Sequence, residues 1–219
     1  SHENWIAIVE LEQEAVSLDP SQEAGAAIGF LDRLLMSLSS LAGFALDDMT
    51  QDQSWRFLML GRRIERLQAL CAILSHTLPV PNGHSQAALD WLLDIADSRI
   101  TYRSRYLSSA QLIPVLDLLL LDPGNPHSVA FQLRQIVQLL HAVGSAEHRT
   151  MSQLEAQLLS LDLAVIESDL ALPQRLPHSL ATLAKLLAAL QQSAWDLADK
   201  LSLQYFAHIE RQSQSMVST

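Results

Sequence analysis

The sequence predicts an all-α protein, an antiparallel multi-helix bundle of about seven or eight helices, and three observations carry that prediction. Leucine and alanine are abundant in a chain that is 49% hydrophobic and only 5% aromatic. Both are strong helix formers, and the β-branched and aromatic bias of sheets is missing. Nothing alternates with period two over strand length, whereas long amphipathic segments follow one another through short connections, which favours antiparallel neighbours. The 219 residues are ample for one sizeable core, and no repeat of about 20 to 50 residues points to a solenoid.

The elements follow in order. "SHENWIAIVELEQEAVSL" opens the chain in a helical pattern with Ser1 at the N-cap. Lacking an initial methionine, it reads as a piece of a longer protein without its N-terminal part. Asp19-Pro20-Ser21 is a turn, and a second helix covers about 23–45. Asp47 to Gln53 is a polar connection, with Asp52 the N-cap of a long helix to Thr77. "LPVPNGHS" is the clearest loop. A single helix from Gln86 to Tyr106 follows, then a short apolar one at 113–121. In "DPGNPH", Asn125 serves as N-cap and Pro126 as first-turn residue of a helix to Val143. Another helix spans 149–166, Pro173 and Pro177 frame a loop, and the last helix runs over 178–210. Residues 1–210 thus form one helical domain, and 211–219 are a polar tail that frays.

Charge narrows the function. The net charge of −10 argues against nucleic acid or an anionic membrane as partner. No apolar run approaches the roughly 20 residues of a membrane span, and no secretory signal leads the chain, so the cytoplasm is the expected location. Residues 56–106 carry seven arginines against four acids, a balance of +3 that leaves −13 for the rest. Twelve of the fourteen basic residues are arginine, the side chain suited to bidentate pairing with carboxylate or phosphate. The single Cys71 lies in an apolar helical stretch and reads as an inert core thiol.

Three constellations could carry chemistry. In "WRFLMLGRRIERLQAL", Arg62, Glu65 and Arg66 form a polar cluster one turn deep, which is either an exposed ion-pair ladder or part of a site. Gly61, costly in mid-helix, suggests close approach of a neighbouring helix or ligand. In "DSRITYRSRYL", Arg99, Tyr102, Arg103 and Tyr106 form one stripe, with Asp90, Asp94, Asp97 and Thr101 another. A polar stripe here is expected to meet "GRRIER", as a structural lock or as an anion pocket. "LLLLDPGNPHSV" puts Asn125 and Ser128 near a helix N-terminus, where free N–H groups favour anions. The histidines make no persuasive metal site. No GxSxG, P-loop, GxGxxG or HExxH is present, and no cofactor is implied.

"MTQDQSWRFLMLGRRIERLQAL", "LLDIADSRITYRSRY", "LDLLLLDPGNPHSV" and "YFAH", in this order and spacing, resemble the alpha-E domain family of bacterial all-helical proteins. The resemblance is specific over about residues 40–135 and looser elsewhere. It implies a partnership with circularly permuted ATP-grasp domains, and with transglutaminase-like proteases, in a system that makes or trims peptide amide bonds. The motif positions carried over include Arg62, Glu65, Arg66, Asp97, Ser98, Tyr102, Arg103, Tyr106, Asp122, Asn125 and Ser128. On this reading Glu65 is the catalytic candidate, although Arg62 and Arg66 oppose a raised pKa and favour an electrostatic role. Arg62, Arg66, Asp97, Tyr102, Arg103, Tyr106, Asn125 and Ser128 would bind a carboxylate or phosphate. Departures are Asp47 in place of a glutamate, Gln51 in place of a basic residue, and His127 where the family has "NPRS". Two lost positive charges favour the alternative, a non-catalytic scaffold whose polar network is purely structural.

Overall fold

The computed structural model describes residues 2–17, 24–107, 109–172 and 174–206, and every regular element among them is helical. They are α1 (His2–Ser17), α2 (Ala24–Asp47), α3 (Gln53–Thr77), α4 (Gln86–Ile95), α5 (Arg99–Tyr106) and α6 (Leu112–Leu116), which continues as a π-helical turn, Asp117–Leu121. Then come α7 (Val129–Ala142), α8 (His148–Leu159), α9 (Leu163–Leu170) and α10 (Leu176–Leu201), the last continued by a π-helical turn, Ser202–Phe206. The expected Ser1 cap, the turn at residues 19–21, Pro173, and the helix end and tail beyond 206 lie outside the described residues.

The chain divides into two compact units, residues 1–55 and 56–219. In the first, Arg33 of α2 pairs with Glu14 of α1. Asp52 caps α3 as expected, its Oδ1 accepting from the Trp55 amide at 3.0 Å. From Ala27 to Asp47, α2 is 21 residues with a mean hydropathy of 1.3, long and apolar enough to cross a membrane by length and composition. Counting uninterrupted apolar runs passed it over because Asp32 and Arg33 split it.

The second unit is organised around its most apolar segment. Val115, Leu116, Leu118, Leu119 and Leu120 are wholly buried, as a helix that is hydrophobic all round must be. This segment packs against α4, α5, α7, α8 and α9. α7 and α8 pair closely, and α10 lies on α9. Leucines at helical spacing on α3 (Leu60, Leu67, Leu74) and α10 (Leu180, Leu183, Leu187, Leu190) complete the same core. Cys71 sits within it, and burial pushes its thiol up to about 12, so it is protonated and inert at neutral pH.

The expected helix Gln86–Tyr106 is in fact two. Asp97 adopts φ 47°, its amide bonds Asp94 O at 3.0 Å, and the Ser98 amide bonds Leu93 O at 2.8 Å. This is a Schellman ending with aspartate in the left-handed position that usually holds glycine. With neither glycine nor proline there, local sequence gives no break signal. The expected helix 149–166 is likewise split into α8 and α9, because Asp162 caps α9 by accepting from the Ala164 amide at 2.9 Å. Asn125 does not cap α7; Ser128 does, accepting from the Phe131 amide at 3.0 Å.

Gly61 also departs from expectation. A Cβ added there meets no described atom within 4 Å, so no close approach explains it. Gly61→Ala is therefore expected to stabilise the protein by about 1 kcal/mol through helix propensity. Gly144→Ala is the contrasting control. Gly144 ends α7 with φ 72°, and alanine there should lower stability by about 1 kcal/mol. Thermal melts of both variants check the pair.

Candidate functional site

Spacing on α3 places Arg66, Ala69, Leu70, Ile73 and Leu74 on one face, following i, i+3, i+4, i+7, i+8. That face lines a cavity of about 330 Å³, closed by Leu92, Ile95, Ala96 and Asp97 from the end of α4, Leu119 from the central segment, and Pro126, His127 and Gln132 around the start of α7. The volume falls at the lower end of the about 300–1,000 Å³ usual for small-molecule sites. All of it belongs to the second unit.

The cavity is amphipathic along its length. From Arg66 to Leu74 is eight residues, or about 12 Å of helix. On α3 the charged residue comes first and the apolar ones follow. On α4 the order reverses, from Leu92 to Asp97. Arg66, Asp97 and His127 interact through their charges, with His127 Nε2 3.8 Å from Asp97 Oδ2, too long for a hydrogen bond. The polar groups thus gather at one end and branched aliphatic side chains line the rest.

Arg66 is half-buried, and among the described residues it makes no hydrogen bond and no ion pair within 4 Å. Burial and the neighbouring Arg62 hold it below the ordinary arginine range, with Asp97 pulling the other way; it stays cationic at neutral pH. Burial lowers the His127 pKa too, opposed by Asp97 and assisted by Arg66, so at pH 7 its imidazole is neutral. The Asp97 carboxyl is 90% exposed at the rim, on a backbone in the left-handed region, which aspartate and asparagine tolerate better than other non-glycine residues. Gln132 donates its Nε2 to Pro126 O. Its Oε1 is sealed from solvent with no hydrogen-bond partner among the described residues, so the bond to Pro126 O is what fixes this part of the lining.

The other polar residues of the motifs build a second, quite different centre. Asn125, 2% exposed, donates from Nδ2 to Leu118 O at 3.0 Å and to Ser98 Oγ at 3.3 Å, and accepts at Oδ1 from the His127 amide at 3.1 Å. Ser98 Oγ donates to Ala96 O. Ser128 Oγ donates to Asp122 O at 2.5 Å. The buried Tyr102 hydroxyl donates to Ser109 O at 3.2 Å and accepts from the Gln111 amide at 3.0 Å. Tyr106 donates to Asp117 Oδ2 at 2.8 Å, and burial, helped by that bond, pushes its phenol up to about 12. Arg99 pairs with Asp94, and Arg105 with Asp122. The centre is internally satisfied and has the character of a lock.

Within "DSRITYRSRYL", Asp97 meets Arg66 of "GRRIER", while Ser98, Arg99, Arg105 and Tyr106 pair with Asn125, Asp94, Asp122 and Asp117. Of the sequence-predicted site residues, Arg66 and Asp97 meet in the cavity. Tyr102, Tyr106, Asn125 and Ser128 belong to the lock. Glu65 and Arg103 are exposed, Arg62 is partly buried beside Arg66, and none of these three lines the cavity. His127 and the apolar wall were missed. The helical spacing forward from Arg66 could have found Ala69 to Leu74, whereas nothing local flags His127, which sequence reading counts only as a lost charge. Among the described residues no group of three or more His, Cys, Asp or Glu side chains could hold a metal ion.

Known proteins add a family and no biochemistry. Uncharacterized proteins of Mycobacterium bovis and Mycobacterium tuberculosis are each 28% identical over 214 residues, covering 92% of this chain and 24% of the relative. The chain thus spans about a quarter of the length of the curated relatives it matches. No solved structure matches. The Alpha-E family, described as "a predicted alpha-helical domain with a conserved ER motif", matches residues 1–206. Within those residues the pair Glu-Arg occurs once, at Glu65-Arg66, and its arginine stands at the polar end of the cavity. With the match covering nearly all of its length, this chain belongs to the Alpha-E family.

Proposed function

We propose that the chain is a helical accessory domain of a cytoplasmic, ATP-grasp-linked system that forms amide bonds, and that it binds a carboxylate or phosphate group at Arg66. One observation carries the reading: a half-buried guanidinium at the polar end of a cavity, with no hydrogen bond or ion pair within 4 Å among the described residues. Desolvating that cation is unfavourable, and an incoming anion with bidentate geometry offsets the loss. Carboxylates and acyl phosphates are the groups a peptide-ligating partner handles. The match to a quarter of longer relatives fits a module working beside other domains. Glu65, exposed and outside the cavity lining, acts electrostatically on this reading rather than as a proton carrier.

The test is reconstitution with the ATP-grasp protein encoded nearest to this chain, measuring ATP-dependent amide formation. Stimulation by the wild-type chain, reduced about tenfold or more by Arg66→Gln, is the expected result. Equal activity with and without the chain would overturn the partnership. A second reading, a non-catalytic scaffold, is favoured by the internally satisfied network of Ser98, Tyr102, Asn125 and Ser128. It predicts stimulation that Arg66→Gln leaves intact.

A further inference from the structure

We infer that the cavity takes an α-amino-acid carboxylate with an aliphatic side chain, either free or at the end of a peptide. This rests on the carboxylate reading of Arg66 and narrows it. Two features of the cleft define the ligand. Arg66 calls for an anion at the polar end, and a wall of Leu70, Ile73, Leu74, Leu92 and Leu119 calls for a branched apolar body over about 12 Å of helix.

The third feature, the rim carboxylate of Asp97, disfavours the simpler fatty-acid type of ligand. Asp97 stands at the same end as Arg66 and is coupled to it electrostatically. A plain carboxylate placed on Arg66 would be repelled by Asp97. A carboxylate with an N–H donor on the adjacent carbon answers both charges, because its anion meets the guanidinium and its ammonium or amide N–H meets the aspartate. Neutral His127 beside them accepts or donates one further hydrogen bond without adding charge.

Calorimetric titration of the whole chain with five probes tests the inference. N-acetyl-leucine and leucine both carry carboxylate, N–H donor and aliphatic chain. Leucyl-leucine tests the peptide end, 4-methylpentanoate lacks the nitrogen, and leucinamide lacks the carboxylate. N-acetyl-leucine or leucyl-leucine is expected to bind about tenfold or more tightly than 4-methylpentanoate and leucinamide. Preference for free leucine over N-acetyl-leucine would assign the ammonium form, and the reverse the peptide end; either supports the class. In Asp97→Gly, whose backbone suits glycine, the preference over 4-methylpentanoate should vanish while the melting temperature holds or rises. Binding of 4-methylpentanoate to the wild type as tight as that of leucine, N-acetyl-leucine and leucyl-leucine alike overturns the amino-acid class but keeps the carboxylate reading. Equal binding of leucinamide, or no binding by any probe, overturns both.

Discussion

Replacing Asn125 with alanine is expected to lower stability by about 3 kcal/mol, read as a melting temperature lower by about 6–12 °C. The side chain is 2% exposed and uses both amide protons and its oxygen, toward Leu118 O, Ser98 Oγ and the His127 amide. Alanine removes all three bonds and leaves a cavity. The Leu118 carbonyl, in a buried π-helical turn, is then left without this donor. Each buried polar group orphaned in this way costs about 1–3 kcal/mol. Asn125→Asp should be at least as damaging, since a carboxylate has no proton for Leu118 O and would be a buried charge without a partner. A loss below about 0.5 kcal/mol in either variant would mean that the lock contributes little.

Arg66→Gln should do the reverse. Arg66 is half-buried but has no ion pair or hydrogen bond among the described residues, and its proximity to Arg62 is repulsive. Removing the charge relieves that repulsion and a desolvation cost, so the melting temperature should stay within about 2 °C of wild type. Binding of N-acetyl-leucine should fall about tenfold or more, as it loses a charge-assisted, forked pair. Arg66→Lys should recover only part of that, because an ammonium cannot present the planar fork. A melting temperature lowered as far as in Asn125→Ala would place Arg66 in the lock instead.

The helical class and most element positions were legible because leucine and alanine leave strong periodicity in long amphipathic helices. The central segment was legible for the same reason, as "LDLLLLD" is too apolar to lie anywhere but inside. What escaped leaves no mark in residue type or spacing. Asp97 ends α4 through backbone bonds to Leu93 and Asp94 in a stretch with no glycine or proline, so two helices looked like one. Gly61 invited an explanation by close packing that its open surroundings do not support. The polar motifs stand out from the sequence as a group, but spacing alone cannot divide them. Asn125 and Ser128 look like anion-site residues at a helix N-terminus, but their partners, Leu118 O and Asp122 O, lie seven and six residues back in the chain. His127 counted only as a lost positive charge, whereas its place beside Asp97 depends on how the loop before α7 folds back.

The polar motif residues of this chain fall into two separable groups, a lock around Asn125 and a cleft at Arg66. Mapping backbone amide shifts while titrating N-acetyl-leucine tests this division most directly. Shifts confined to residues 66–74, 92–97 and 126–132, and lost in Arg66→Gln, are the predicted result. Shifts centred on Arg103 and Tyr106, or a wild-type spectrum that does not respond, would contradict it.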